Sequence, residues 1–135
     1  MAKRMNKEDF EKNVENWKTD IEIGLNKVQD AVLKYVSGNI DQADYKEEII
    51  NQKERMTNII DHMAQVNPPE FREVDYLNLN DGVIFLNNAF SSFEMETGQP
   101  AGQMMKLELK EAKDYFGEKL SGKIQNIINA MPDRP

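Results

Sequence analysis

Apolar residues recur at steps of three and four along almost the whole chain, in four stripes parted by short breaks at 37–41, 67–70 and 98–102. That period belongs to the α-helix, because side chains three and four apart share one helical face while strand side chains alternate. Phe10, Val14, Trp17, Ile21, Leu25, Val28, Val32 and Tyr35 mark a first helix over about 7–36, which Ser37-Gly38-Asn39 ends. Asp41 is an N-cap for a second helix over about 42–66, whose stripe is Tyr45, Ile49, Met56, Ile59, Ile60 and Met63; Pro68-Pro69 stops it. Pro69 suits the first position of a third helix over about 69–97, and Glu70 the positive end of its dipole. A fourth helix is expected over about 102–131, carrying Met105, Leu109, Ala112, Phe116, Leu120, Ile124, Ile127 and Met131. Gly117 and Gly122 are its weak points, each costing about 1 kcal/mol relative to alanine, so a kink or a close helix approach is expected near them.

Helices of this length joined by short loops make sequential antiparallel neighbours. The expected fold is all-α, an antiparallel up-down-up-down four-helix bundle formed by residues 1–135 as a single domain. The expected core includes Trp17, Ile21, Val28, Val83, Leu86, Phe90, Phe116, Leu120 and Ile127. A chain of 135 residues can bury such a core without staples, and with no cysteine it has neither disulfides nor a thiolate for metal binding or catalysis.

The third helix carries the best core seam, a heptad pair formed by Tyr76, Val83 and Phe90 with Leu79, Leu86 and Phe93. Around that seam the helix is poor in charge: from Leu77 to Phe93 only Asp81 is ionised. Leu77, Ile84 and Met95 project roughly 120° away from the seam, with Phe85 on the opposite flank. Two readings follow. The helix is the most buried of the four, its flanks covered by both neighbours; or Leu77, Ile84, Phe85 and Met95 form a contact surface for another protein or a second copy of the chain, as charge depletion with aromatic enrichment is what interface centres show.

Function classes fall away more readily than they suggest themselves. A net charge of −7 repels phosphate backbones and anionic lipid, so no nucleic acid partner is expected. The longest run of large apolar residues, Val83-Ile84-Phe85-Leu86, is far short of the roughly 20 residues of a membrane span. The segment Met1 to Asn6 is basic but leads into no apolar stretch, so the chain as it stands reads as cytoplasmic, or as extracytoplasmic where a signal or lipid anchor has been removed. His62 is the one histidine and cannot by itself build a transition-metal site; Ile59 stands where a bundle di-iron Glu-x-x-His motif would need its glutamate. Gly38-Asn39-Ile40 with Asp44 and Tyr45 echoes the end of a calcium loop, yet the earlier ligand positions fall on Leu33, Tyr35 and Ser37. There is no phosphate-binding glycine loop and no nucleophile elbow, and acids such as Glu8 alternate with lysines such as Lys12 as on a solvated face. No catalytic, cofactor-binding or metal-binding residue is expected, and the chain does not read as an enzyme.

An aromatic-bearing first helix with Trp17, then Gly38-Asn39-Ile40-Asp41, then Pro68-Pro69-Glu70 opening the third helix resembles small extracytoplasmic helical-bundle proteins of Gram-positive bacteria, many of them lipoproteins. The chain departs from them in lacking the lipid-anchored cysteine. Its Lys/Asn/Ile-rich composition is similar to that of low-GC bacteria, their phages and mobile elements. The expected function is a non-enzymatic protein–protein interaction module, of envelope or of exclusion, immunity or anti-defence type. The alternative is a ligand-sensing bundle that holds a small apolar or amphipathic molecule between helices, with Met56, Met63, Met104 and Met105 as an adaptable lining.

Overall fold

A computed structural model describes residues 3–95 and 102–132, and every regular element among them is helical. The helices are α1 (Lys7–Val36), α2 (Gln42–Ala64), α3 (Glu73–Met95), α4 (Gln103–Ala112) and α5 (Glu118–Ala130), with one 3₁₀ turn at Lys113–Tyr115. The all-helical expectation holds, but five helices pack together where four were expected. The expected end of the third helix near Thr97, the loop at 98–101 and the tail from Asp133 to Pro135 lie outside the described residues.

Local chemistry sets the boundaries. The Asn6 side chain accepts from the Asp9 amide at 2.8 Å to start α1, and Gly38, at φ 80°, takes the left-handed conformation that ends it. Asp41 caps α2 by accepting from the Asp44 amide at 2.8 Å. α3 opens later than Pro69, because Phe71 sits at φ 71° and no right-handed helix passes through that angle. Arg4 ties the chain to this corner, donating to the Pro68 carbonyl at 3.0 Å and to Glu73 at 2.7 Å. A hydrogen bond from its own backbone amide, and then Arg4, hold the Glu73 carboxyl below its ordinary value.

α1, α2 and α3 run up, down and up. Trp17 meets His62, Asp20 meets Arg55 and Tyr35 stacks on Tyr45, so α1 and α2 are antiparallel; Tyr76 against Met63 and Asn87 against Lys53 and Thr57 do the same for α2 and α3.

The fourth helix is the main correction. Phe116 is extended at φ −122° and ψ 154°, Gly117 becomes the N-cap of α5, and the chain turns back on itself. Ser121 Oγ donates to the Lys113 carbonyl at 3.0 Å, and Gln103 Nε2 to the Pro132 carbonyl at 3.3 Å. One unbroken helix from 103 to 132 would hold those ends roughly 45 Å apart. α4 therefore descends half the length of α3, and α5 climbs again beside α1, with Lys119 and Lys123 reaching Glu22 and Lys123 reaching Asn26. Folding back brings two short apolar stripes, Met105/Leu109/Ala112 and Leu120/Ile124/Ile127, onto one groove between α1 and α3. Of the two suspect glycines Gly117 marks the break; Gly122 lies within α5 with nothing close to it.

The core is continuous from Phe10 at the foot to Met131 at the top. Trp17, Ile21, Val28, Val83, Leu86, Phe90, Leu120 and Ile127 are buried as expected. Phe116 is half-buried instead, because the break swings its ring from the core seam onto α3, where only a glycine leaves room for it. A Cβ built on Gly82 would lie 2.7 Å from Phe116 Cζ.

Candidate functional site

The outer face of α3 is where exposed apolar surface gathers. On a helix turning 100° per residue, Val74, Leu77, Asp81, Ile84 and Asn88 fall within an arc of about 80° opposite the core seam, and all five are exposed. Val74 is 69% exposed, Leu77 53% and Ile84 36%. Just before the helix Phe71 is 89% exposed, a degree of exposure uncommon for so large an apolar ring. Its positive φ costs on the order of 1–3 kcal/mol for a residue with a Cβ, so the backbone is held in a strained shape there that presents an aromatic ring to solvent.

The four residues singled out from sequence do not form one surface. Leu77 and Ile84 share the exposed arc. Phe85 lies on the other flank and stacks on Tyr115, with ring centroids 5.0 Å apart and planes at 21°, so it anchors the foot of the α4–α5 hairpin. Met95 closes α3, and its side chain lies outside the described residues. Val74 and Phe71 were missed. Val74 was legible, one turn before Leu77 on the same stripe; Phe71 was not, since nothing in Pro-Pro-Glu-Phe announces a left-handed residue.

A second feature lies below the hairpin. Because α4 and α5 cover only the upper part of the groove between α1 and α3, a cleft of about 400 Å³ opens over Phe10, Val14, Leu79 and Phe116, rimmed by Lys18 and Arg72. It adjoins another of about 520 Å³ along α1 and the start of α5. Arg72 is engaged there by Glu11 at 3.2 Å and Asp75 at 3.3 Å. None of the methionines expected to line a ligand site borders either cleft: Met56, Met63 and Met105 are fully buried in the core, and Met104 is half-exposed.

His62 has a structural partner. Trp17 is 3% exposed, and its indole Nε1–H donates to His62 Nδ1 at 2.7 Å, which requires that nitrogen to be unprotonated. Tyr76 packs edge-on against the same indole and donates its hydroxyl to the Met63 carbonyl; burial pushes its phenol pKa up. His62→Ala removes the acceptor of the indole N–H, and because His62 is itself exposed, water can take its place, so the expected cost is about 0.5–1.5 kcal/mol. Urea unfolding followed by Trp17 fluorescence measures this, and an unchanged midpoint would show that the bond contributes nothing.

Among the described residues no group of three or more His, Asp or Glu side chains is placed to hold a metal ion, and no helix is long and apolar enough to cross a membrane. No protein-family model matches the chain, and neither a curated protein nor a solved structure matches it.

Proposed function

We propose that the chain is a non-enzymatic protein-binding module and that it presents the outer face of α3 to its partner. One observation carries this reading: Val74, Leu77 and Ile84 lie exposed along a single helical stripe, with Phe71 thrust into solvent beside its start. Soluble chains rarely leave contiguous apolar patches larger than a few hundred Å² uncovered, and those they do leave are commonly binding sites. Burying this stripe recovers about 25 cal/mol per Å² of apolar area, which offsets the strain at Phe71.

The test is a photo-crosslinking amino acid placed at Leu77, with one at exposed Lys27 on α1 as control, in cells producing the chain. Discrete adducts are expected from position 77, not from position 27, and Ile84→Lys should abolish them while circular dichroism shows intact helix. An adduct of twice the chain's mass would identify a second copy as the partner. Equal labelling at the two positions would sink the proposal.

The cleft below the hairpin supports a second reading, a small amphipathic molecule resting on Phe10, Val14 and Leu79. Its lining mixes charges of both signs and its floor is already well covered, which makes it the weaker of the two.

A further inference from the structure

The exposed stripe of α3 is a straight seam along which another helix could lie. Val74, Leu77, Asp81, Ile84 and Asn88 follow one another by three, four, three and four residues, the a/d spacing of a coiled-coil seam. α3 thus carries two heptad seams, one turned into the core through Val83, Leu86 and Phe90, the other turned out. From Val74 to Asn88 the outer seam is about 21 Å long, enough for a partner helix of roughly four turns.

Charge narrows the occupant further. Glu73, Asp75, Asp81 and Glu94 are the ionised residues of α3, which has no lysine or arginine. Glu73 and Asp75 are engaged by Arg4 and Arg72, whereas Asp81, between Leu77 and Ile84, has no ion pair among the described residues. A second copy laid along this seam in parallel register would set Asp81 against Asp81. In antiparallel register it would set Asp81 against leucine or isoleucine. Both arrangements desolvate a carboxylate without a cation, which costs more than the apolar contact returns.

We infer that the outer seam of α3 receives an amphipathic helix of a different protein, apolar at heptad spacing and bearing a lysine or arginine opposite Asp81. This rests on the protein-binding reading above and adds the partner's fold and charge. The acid fixes register and selects against self-pairing, as single polar residues in coiled-coil seams do.

The experiment uses the full chain and two fluorescent 18-residue peptides with the same leucine face, one carrying lysines and the other glutamates on its flanks. In anisotropy titrations the lysine peptide is expected to bind one per chain and at least about tenfold tighter than the glutamate peptide. Asp81→Lys should reverse the preference, Asp81→Asn should remove most of it, and Leu77→Ser should weaken both peptides. Each variant is checked by circular dichroism, and these exposed positions leave the core intact. Equal binding of the two peptides overturns the inference by showing that charge plays no part, and a preference that survives Asp81→Lys overturns it by showing that only the overall negative charge acts. If crosslinks form at position 77 while the peptide preference is absent, protein binding stands and the basic helix does not. If Leu77→Ser leaves both peptides bound as before and Ile84→Lys leaves the crosslinks at position 77 intact, both fall.

Discussion

Replacing Phe90 with alanine should lower the stability of the chain by about 3–5 kcal/mol and its melting temperature by roughly 10–20 °C. Phe90 is fully buried, one heptad above Val83 on the seam that α3 turns inward, with Leu86 and Phe93 also buried one turn away on either side. Truncation removes a ring's worth of apolar burial and leaves a void that helices packed on several sides cannot close without moving one another. Thermal and urea unfolding by circular dichroism would measure the loss. A melting point within a degree or two of the parent would mean that α3 had been assigned the wrong inward face, and with it the wrong outward one.

Gly82→Val should cost about 1–3 kcal/mol, with the damage concentrated in the α4–α5 hairpin. The first side-chain atom added at that position meets Phe116 Cζ at 2.7 Å, and Phe116 Cε2 and Tyr115 Cβ at 3.0 Å. The neighbouring contact, Phe85 stacked on Tyr115, would part with it. Valine has better helix propensity than glycine, so a purely local account of α3 predicts a small gain; a measured loss isolates the tertiary contact. Amide exchange should quicken in Leu109, Ala112 and Leu120 well before it does in α2. Uniform quickening across all helices would show that the hairpin does not open on its own.

The first two helices, and the third apart from its start, were legible because their signals agree with one another. Asp41 caps where the stripe from Tyr45 begins, and Ser37-Gly38 breaks where the stripe through Tyr35 ends. The hairpin was hidden because Met105, Phe116 and Ile127 keep an even eleven-residue spacing across the break. Periodicity registers which residues are apolar and how they repeat, and a helix that stops and reverses can repeat as evenly as one that continues. Gly117 was the visible warning, and its cost of about 1 kcal/mol could not tell a kink from a reversal. At the candidate site, Leu77 and Ile84 could be placed on a common flank by angle alone. Phe85 could not be assigned, since its fate depends on Tyr115, thirty residues away in sequence and brought alongside only by the reversal.

That reversal also decides where the chain enters and leaves. In a bundle with an even number of full-length helices both ends emerge at the same pole. Here Met5 lies beside Asn67 at the foot of α1, while Pro132 lies beside Gln103 at the top, with the 30 residues of α1 between them. The molecule is thus a strut, about 45 Å from entry to exit. Whatever is joined ahead of α1 and whatever is joined behind α5 are held apart along one axis, and α3 offers its outer seam partway between them.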